Sequence, residues 1–201
     1  MFLKIKLEKA SSFIKPNSRV LDVGCYNGRL RKFLPKCEYF GVDIDKRLIK
    51  ELKKQGVDAE EVDLNSGEIP FKKEKFHYIF LLDILEHIAD PRKLLQSLKP
   101  RLISGGKLII TLPNDYHILN KFRFLFNKHL TSDPFNPVGH LHFFPIKTAD
   151  KFIQNQGFKI LKKEILAPIK PTFLSLTMKK RLASISPQSF ARNILYLIEP
   201  L

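Results

Sequence analysis

Short apolar runs alternate with amphipathic stretches along most of the chain, and this alternation limits the possible folds more than any other feature. The apolar runs are typical of buried strands, and the stretches between them have the apolar spacing of helices. Strands joined by helices indicate an α/β protein with a mostly parallel sheet, because parallel neighbours need a crossover connection. The predicted strands are 20–23, 39–42, 57–62, 78–82, 107–112, 158–165 and 194–198, and the predicted helices are 29–34, 46–55, 92–102 and 148–156.

Length and composition fit one folded domain. The chain has 201 residues, 44% of them hydrophobic, and its 17 Phe exceed what a disordered chain carries. We therefore predict a single domain over residues 1–201. An N-terminal helix is predicted within 1–17, with an apolar face at positions 3, 7, 10 and 14. An insertion is predicted at 113–145, where the alternation of apolar and amphipathic stretches stops and a lid over an acceptor could form. The C-terminal segment, 168–201, contains the last predicted strand.

Cysteine and histidine content argues against disulfides and metal sites. Two cysteines, Cys25 and Cys37, are too few for a disulfide framework, and the six histidines offer no third ligand at a recognisable spacing. Charged residues interrupt the apolar N-terminus, so it lacks the core of a signal peptide. No apolar run approaches the roughly 18 residues of a membrane span. We therefore predict a cytoplasmic protein with no metal and no transmembrane segment.

The formal net charge of +15 is unusual for a chain of this size. Such an excess suggests a nucleic acid, an anionic membrane surface or an acidic substrate as partner, and it does not choose among them. Twelve of the 20 acidic residues lie between Asp43 and Asp90, so the rest of the chain is basic mainly because it lacks acids.

A glycine turn after the first predicted strand is the densest local signal. Residues 20–28 run from an apolar strand into a turn framed by Gly24 and Gly28, where backbone N–H groups can approach a ligand. The following helix would add the partial positive charge of its N-terminus. Asp43 ends the next strand and could hydrogen-bond a ribose diol. The turn matches neither a dinucleotide fingerprint nor a P-loop, so we predict an adenosine-type cofactor at the carboxyl edge of the sheet.

From this turn onward the sequence resembles the class I S-adenosylmethionine-dependent methyltransferases, particularly the small-molecule branch that includes proteins similar to ubiquinone-biosynthesis O-methyltransferases. The resemblance covers residues 18–165 in the family's order. It implies a Rossmann-like, seven-stranded, mostly parallel sheet with helices on both faces and an antiparallel last strand. Its motifs are Leu21–Gly28, Gly41–Asp45, Val62–Leu64, Phe80–Ile88, Leu98–Pro100, Gly105–Ile110, His140–Phe144 and Gly157–Phe158.

The resemblance also implies a cofactor, S-adenosylmethionine, with S-adenosylhomocysteine as its product. The glycine turn would wrap the methionine part, Asp43 would bind both ribose hydroxyls, and Ile44 would lie against adenine. Asp63 would accept from the adenine amino group. The complete set of cofactor-binding residues implied is Asp22, Gly24, Cys25, Gly28, Asp43, Ile44, Asp63, Leu64, Leu81 and Leu82.

The methyl acceptor is less constrained by sequence. A hydroxyl acceptor would need a base, and His87 and His142 are the predicted catalytic residues, with His140 beside them and a purely structural role as the alternative for each. We predict methyl transfer by in-line displacement to a small-molecule or lipid-linked, anionic acceptor, with peripheral membrane contact open. The alternatives are an RNA methyltransferase that uses the basic surface and a non-catalytic scaffold that binds S-adenosylmethionine.

Overall fold

A seven-stranded sheet forms the centre of the protein. The computed structural model describes residues 2–66, 68–126, 139–168 and 175–201. The strands are β1 (Arg19–Val23), β2 (Glu38–Asp43), β3 (Asp58–Glu61), β4 (Phe76–Leu82), β5 (Leu102–Pro113), β6 (Phe158–Pro168) and β7 (Ala191–Pro200). They lie in the order β3-β2-β1-β4-β5-β7-β6. Strands β1 to β5 pair in parallel, and β7 runs antiparallel between β5 and β6, which confirms the predicted fold class.

Helices cover both faces of this sheet. On one face the side chains of α3 and α5 pack into the larger core cluster, and on the other α1 packs into a second cluster. A third, smaller cluster joins α2 to β3. The helices are α1 (Phe2–Ser11), α2 (Lys46–Lys54), α3 (Pro91–Leu98), α4 (Ile118–Leu125), α5 (Ile146–Asn155), α6 (Leu176–Ile185) and α7 (Pro187–Phe190).

Aspartate side chains cap the first turns of two helices. The Asp45 carboxylate accepts from the backbone N–H groups of Arg47 and Leu48 and so begins α2. Asp90 does the same for α3, with Pro91 at the first helical position. Both arrangements satisfy N–H groups that have no partner within the helix.

Two predicted helices differ from the structure. The predicted helix 29–34 is a short 3₁₀ helix, Arg29–Phe33, so the expected charge of a long helix N-terminus is missing next to the glycine turn. The predicted helix 92–102 ends at Leu98 and continues as the 3₁₀ helix Lys99–Arg101. Pro100 explains this ending, because proline disfavours a helical conformation at the preceding residue and cannot donate a helix hydrogen bond.

The N-terminal helix packs through only part of its predicted face. Leu7, Ala10 and Ile14 are buried against the sheet, whereas Leu3 is 39% exposed. The helix is thus anchored by its C-terminal half, next to the 3₁₀ helix Arg29–Phe33 and β6.

The insertion and the C-terminal segment contain further helices. Helix α4 lies within 113–145, and residues 127–138 of that insertion are outside the described residues. Residues 169–174, near the start of the C-terminal segment 168–201, are also outside them. In the part of the chain that is described, no helix combines the length and the apolar character needed to cross a bilayer.

Candidate cofactor and acceptor site

The carboxyl ends of the central parallel strands form one edge, and most of the predicted site residues lie there. Val23 of β1 pairs with Val42 of β2 on one side and with Leu81 of β4 on the other. The glycine turn, Asp43 and the segment after β4 therefore emerge next to one another. Such an edge is the usual binding position in open α/β sheets.

Gly24 is required by both backbone and space. Its φ of +76° lies in the left-handed region, and a Cβ there would overlap the Cδ1 of Ile84. Tyr26 adopts a φ of +51° in the same turn, which is uncommon for a residue with a side chain. The Tyr26 side chain is 53% exposed, so the turn tolerates it by directing it outward.

Asp43 fixes the turn and keeps capacity for a ligand. Its Oδ2 accepts from the N–H of Tyr26 at 2.7 Å, and its Oδ1 accepts from the N–H of Asp45 at 3.0 Å. Each carboxylate oxygen has two lone pairs, so one on each oxygen is left for a further donor. A pair of adjacent ribose hydroxyls matches that arrangement.

Asp22 is buried beneath this surface. The Tyr39 hydroxyl donates to its Oδ2 at 2.7 Å, and only 4% of the residue is exposed. Burial raises the pKa of Asp22 to about 7, against the lowering effect of the Tyr39 hydrogen bond and with a smaller raising contribution from Asp43. The geometry places Asp22 as support for the two strands rather than as a surface group.

Cys25 and Gly28 face α2 rather than the open edge. The Cys25 thiol is buried in the small cluster and lies so close to Gly41 that a side chain at position 41 would not fit. Burial, followed by the charges of Asp22 and Asp43, raises the pKa of Cys25, so this thiol stays protonated. A Cβ at Gly28 would contact Leu52 of α2.

The remaining predicted cofactor residues divide into exposed and packed ones. Ile44, directly after Asp43, is 66% exposed, so its apolar side chain is accessible to a flat ring. The Asp63 carboxylate accepts from the N–H of Asn65 and the hydroxyl of Ser66, so it closes a turn. Leu64 packs partly into the larger core cluster; Leu81 is fully buried in it, and Leu82 is half-buried on the other face.

A polar network that the sequence did not reveal lies at the end of β4. Asp83 has a φ of +56°, and its Oδ1 accepts from the Thr111 hydroxyl of β5 at 2.6 Å. Its Oδ2 forms an ion pair with Lys6 of α1. Lys6 is buried despite its charge, so this pair ties the N-terminal helix to the site. An acid directly after an apolar strand was a signal for Asp83, but nothing in the sequence points to its partner.

Glu86 is the most unusual side chain in this region. It is fully buried, and neither carboxylate oxygen has a hydrogen-bond partner among the described residues. Burial, with a smaller contribution from Asp83, raises its pKa to about 8. A buried carboxylate without partners is costly, so each such group needs an explanation.

The side chains of His87 and His140 each bring a ring nitrogen within 4.8 Å of a Glu86 carboxylate oxygen. His87 Nδ1 is 3.2 Å from the carbonyl oxygen of Gly139, and His140 Nδ1 is 2.9 Å from Asp115 Oδ2. The hydrogen bond with Asp115 raises the pKa of His140. His142, predicted to be catalytic, instead directs Nε2 at the carbonyl oxygen of Ile88, 2.9 Å away.

Comparison with known proteins decides the class. The sequence model of a family described as "Methyltransferase domain" matches residues 2–163. The chain belongs to this methyltransferase family. The predicted class, an S-adenosylmethionine-dependent methyltransferase, is confirmed by that match and by the fold.

Three relatives show how far the likeness of this methyltransferase extends. An uncharacterized protein of Methanocaldococcus jannaschii is 30% identical over 148 residues, which is 73% of this chain and 67% of the relative. A tRNA U34 carboxymethyltransferase of Campylobacter curvus is 34% identical over 45% of this chain. A ubiquinone biosynthesis O-methyltransferase of Coxiella burnetii is 31% identical over 47% of it. The matches span only 33% and 43% of the latter two enzymes.

A solved structure supports the fold of the methyltransferase. The S-adenosylmethionine-dependent methyltransferase of Mesorhizobium loti has a TM-score of 0.66 and covers 96% of this chain, and 97% of its own chain is matched. At 15% identity the similarity concerns architecture. The comparison therefore gives no information about the methyl acceptor, which has to be inferred from the residues of this methyltransferase itself.

Proposed function

We propose that this methyltransferase transfers a methyl group from S-adenosylmethionine to a small-molecule or lipid-linked acceptor. Asp43 carries the proposal, because its two oxygens sit at the carboxyl end of β2, each with a lone pair left after fixing the glycine turn. The residues therefore fit the ribose of an adenosine-type cofactor. S-adenosylmethionine supplies an activated methyl group on its sulfonium, so the protein needs mainly to hold the two reactants in line.

The chain's own residues divide this task between them. Gly24 lets the turn approach the cofactor closely, and Asp43 holds the ribose diol. Ile44 offers an exposed apolar surface for adenine. Asp63 and Leu64 would meet the ring edge, although the Asp63 oxygens also serve their own turn. The resemblance placed Asp22 and Cys25 in the site. Both are buried, so they support the glycine turn and its strands and do not contact the cofactor.

Of the two predicted catalytic histidines, His87 is better placed to receive a proton. Its Nδ1 faces the carbonyl oxygen of Gly139, which can only accept, so Nδ1 carries hydrogen in the neutral ring and Nε2 keeps a lone pair. His142 uses Nε2 to donate to a carbonyl oxygen, so its role is to position the segment after the insertion. We propose that His87 faces the acceptor hydroxyl and that His142 supports it.

Helix α4 supports a lipid-linked or anionic acceptor. Phe122, Phe124 and Phe126 are each more than half exposed along it or directly after it. Lys121 and Arg123 alternate with these rings and are also exposed. This surface is connected to His140, because Asn120 of α4 donates to the backbone carbonyl of Asp115, whose carboxylate contacts His140. An apolar, basic surface there suits a molecule with a hydrocarbon part and a negative charge.

RNA is the second candidate acceptor. The net charge of +15 is compatible with it, and one relative acts on tRNA according to its name. Incubation with S-adenosylmethionine labelled in its methyl group, against separate lipid, small-metabolite and RNA fractions, tests both. We expect label in the lipid or small-metabolite fraction. Label in RNA alone would overturn the first proposal, and cofactor binding with no label in any fraction would indicate the non-catalytic scaffold.

A further inference from the structure

Glu86, His87 and His140 form a compact group of potential metal ligands, here called the Glu86 cluster. One donor atom from each lies within 4.8 Å of the others. The rings of His87 and His140 meet edge to face, with centroids 5.1 Å apart. Two imidazoles and one carboxylate are a common ligand set for divalent transition ions.

The Glu86 side chain points to a missing partner. It is fully buried, and both oxygens lack a hydrogen-bond partner among the described residues, although its own backbone carbonyl is well satisfied. The N–H groups of Leu141 and His142 donate to that carbonyl at 2.7 Å and 3.1 Å. The Glu86 backbone is therefore fixed by hydrogen bonds, whereas its buried carboxylate has none among the described residues. This arrangement is typical of a side chain that binds a ligand.

The two histidines are oriented as metal-binding histidines usually are. The Nδ1 atoms of His87 and His140 both face oxygen acceptors, the carbonyl of Gly139 and the carboxylate of Asp115. Oxygen partners of this kind hold the hydrogen on Nδ1, which leaves the lone pair on Nε2 for a metal. Asp115 thus acts as a positioning residue for His140.

The fold, and not the local sequence, assembles these ligands. Glu86 and His87 follow β4, whereas His140 comes from beyond the insertion, and no short spacing joins them. The hydrogen bonds of Leu141 and His142 to Glu86 bring the two segments together. This explains why the spacing of the histidines predicted no metal.

We propose that the Glu86 cluster binds one divalent transition-metal ion, of the Zn²⁺ type, next to the methyl-transfer site. Ligand atoms of a filled zinc site lie about 3 to 3.5 Å apart at usual bond lengths, so the ion would draw the three side chains inward. Three protein ligands leave at least one coordination position open. Resting on the proposed function, that position takes an oxygen of the acceptor, so the acceptor class is a hydroxyl or carboxyl compound.

The ion would change how the acceptor loses its proton. A metal-bound hydroxyl has a much lower pKa than a free one, so it would release its proton to solvent water before the step. The oxygen would then form a bond to the methyl carbon as the bond from that carbon to the sulfonium sulfur breaks, which leaves S-adenosylhomocysteine. In that arrangement His87 acts as a ligand, and the ion takes over the activation proposed for its ring. Asp83, which is tied to Lys6 and Thr111, lies close enough to the cluster for its charge to raise the pKa of both Glu86 and His140.

Metal titrations of the chelator-treated protein, without cofactor, test the site. Co²⁺ is titrated while its visible absorption is followed, and Zn²⁺ and Mg²⁺ are titrated by calorimetry. We expect one Co²⁺ or Zn²⁺ per chain and at least about tenfold weaker binding of Mg²⁺, since imidazole ligands disfavour it. Absence of stoichiometric binding, or equal affinity for Mg²⁺, would overturn the proposal.

Matched variants locate the ion. Glu86→Gln, His87→Ala and His140→Ala should each weaken Zn²⁺ binding at least about tenfold. His77→Ala is the control, because His77 lies at the amino end of β4 and accepts from the N–H of Arg19 far from the cluster. Unchanged Zn²⁺ affinity in His140→Ala would contradict the site.

A second measurement guards against misfolded variants. Zn²⁺ should raise the Tm of the wild-type protein, because a ligand that binds only the folded state stabilises it. It should not raise the Tm of Glu86→Gln, a nearly isosteric change whose circular dichroism can be compared with the wild type. An equal rise in both would contradict the site. Binding of S-adenosylhomocysteine is measured separately, so loss of the metal site and failure of the proposed function are distinguishable.

Discussion

At the scale of single residues, Asp22 makes stability depend on pH. Its pKa is about 7 in the folded protein, whereas an exposed aspartate titrates near 4. Between these two values the folded state keeps a proton that the unfolded state has lost, so stability falls as pH rises from about 4 to 7 and then levels off. Each unit of difference is worth about 1.4 kcal/mol.

Asp22→Asn should remove this dependence. The amide oxygen can still accept from the Tyr39 hydroxyl, and the variant has no charge to bury. Urea denaturation at several pH values should show the variant gaining stability relative to the wild type between pH 4 and 7. Asp58→Asn, at an exposed position, is the control and should follow the wild type. Parallel curves for Asp22→Asn and the wild type would show that the pKa of Asp22 is not raised.

A substitution of Gly24 by alanine has two costs in unfolding free energy, one from the strained backbone and one from steric overlap of the new Cβ with Ile84. Comparison with Gly105 separates the two. Gly105 has a nearly identical φ of +73° but open space around it, whereas a Cβ at Gly24 would overlap Ile84. Alanine at Gly105 should cost about 1 to 2 kcal/mol of unfolding free energy. Alanine at Gly24 should cost a further 1 to 3 kcal/mol. Combining Gly24→Ala with Ile84→Ala should recover part of that excess, and equal costs for the two glycines would refute the overlap.

The sequence contains information about interactions between residues that are close in the chain. It does not show which residues far apart in the chain come into contact in the folded protein. Asp45 and Asp90 cap their helices through partners that lie only two or three positions away. The Lys6–Asp83 pair joins residues 77 positions apart, and no periodicity encodes it. Asp22 was placed in the site by resemblance, but its burial depends on β2 lying beside it.

At the scale of elements, α1 is tied to the site through one buried charge. Lys6→Ala would leave the partly buried Asp83 carboxylate without its cation. The loss of stability should be smaller than the roughly 3 to 5 kcal/mol for breaking a fully buried pair and larger than for an exposed one. Lys4→Ala is the control, since its pair with Glu8 is exposed and such pairs contribute little. Thermal unfolding of both variants tests the tie. A Lys6→Ala protein as stable as Lys4→Ala would mean that α1 is held by its apolar face alone.

The strands were predicted better than the helices because burial on both sides gives them a continuous apolar pattern. All seven predicted strands overlap observed ones. The 3₁₀ helix Arg29–Phe33 was predicted as an ordinary helix, since apolar spacing over so few residues does not distinguish the two. Leu3 was predicted to be packed from its spacing, but it lies beyond the part of α1 that rests on the sheet.

At the scale of the whole molecule, β7 connects β6 to the rest of the sheet. It pairs with β5 and β6 at once, and Ile194, Leu195, Tyr196 and Ile198 are nearly or fully buried. Removing 191–201 should therefore abolish cooperative unfolding, whereas removing Leu201 alone, which is 87% exposed, should not. Denaturation followed by circular dichroism tests this. A cooperative transition in the longer truncation would show that the core is complete without β7.

The position of β7 explains what the sequence could and could not predict about the whole. Its apolar pattern predicted a strand and the family resemblance implied its antiparallel direction, whereas its place between β5 and β6 is known from the structure. The acceptor stayed open for a related reason. The Glu86 cluster combines residues from segments far apart in sequence, and a basic excess alone is compatible with several partners.

Calorimetric titration of S-adenosylhomocysteine tests the cofactor site most directly. The wild-type protein should bind it, and Asp43→Ala should weaken binding by about 1.5 to 3 kcal/mol, since a charge-assisted hydrogen bond is lost. Asp58→Ala, an exposed aspartate at the amino end of β3, is the matched control and should bind like the wild type. Absence of binding by the wild-type protein, or unchanged affinity in Asp43→Ala, would contradict the account.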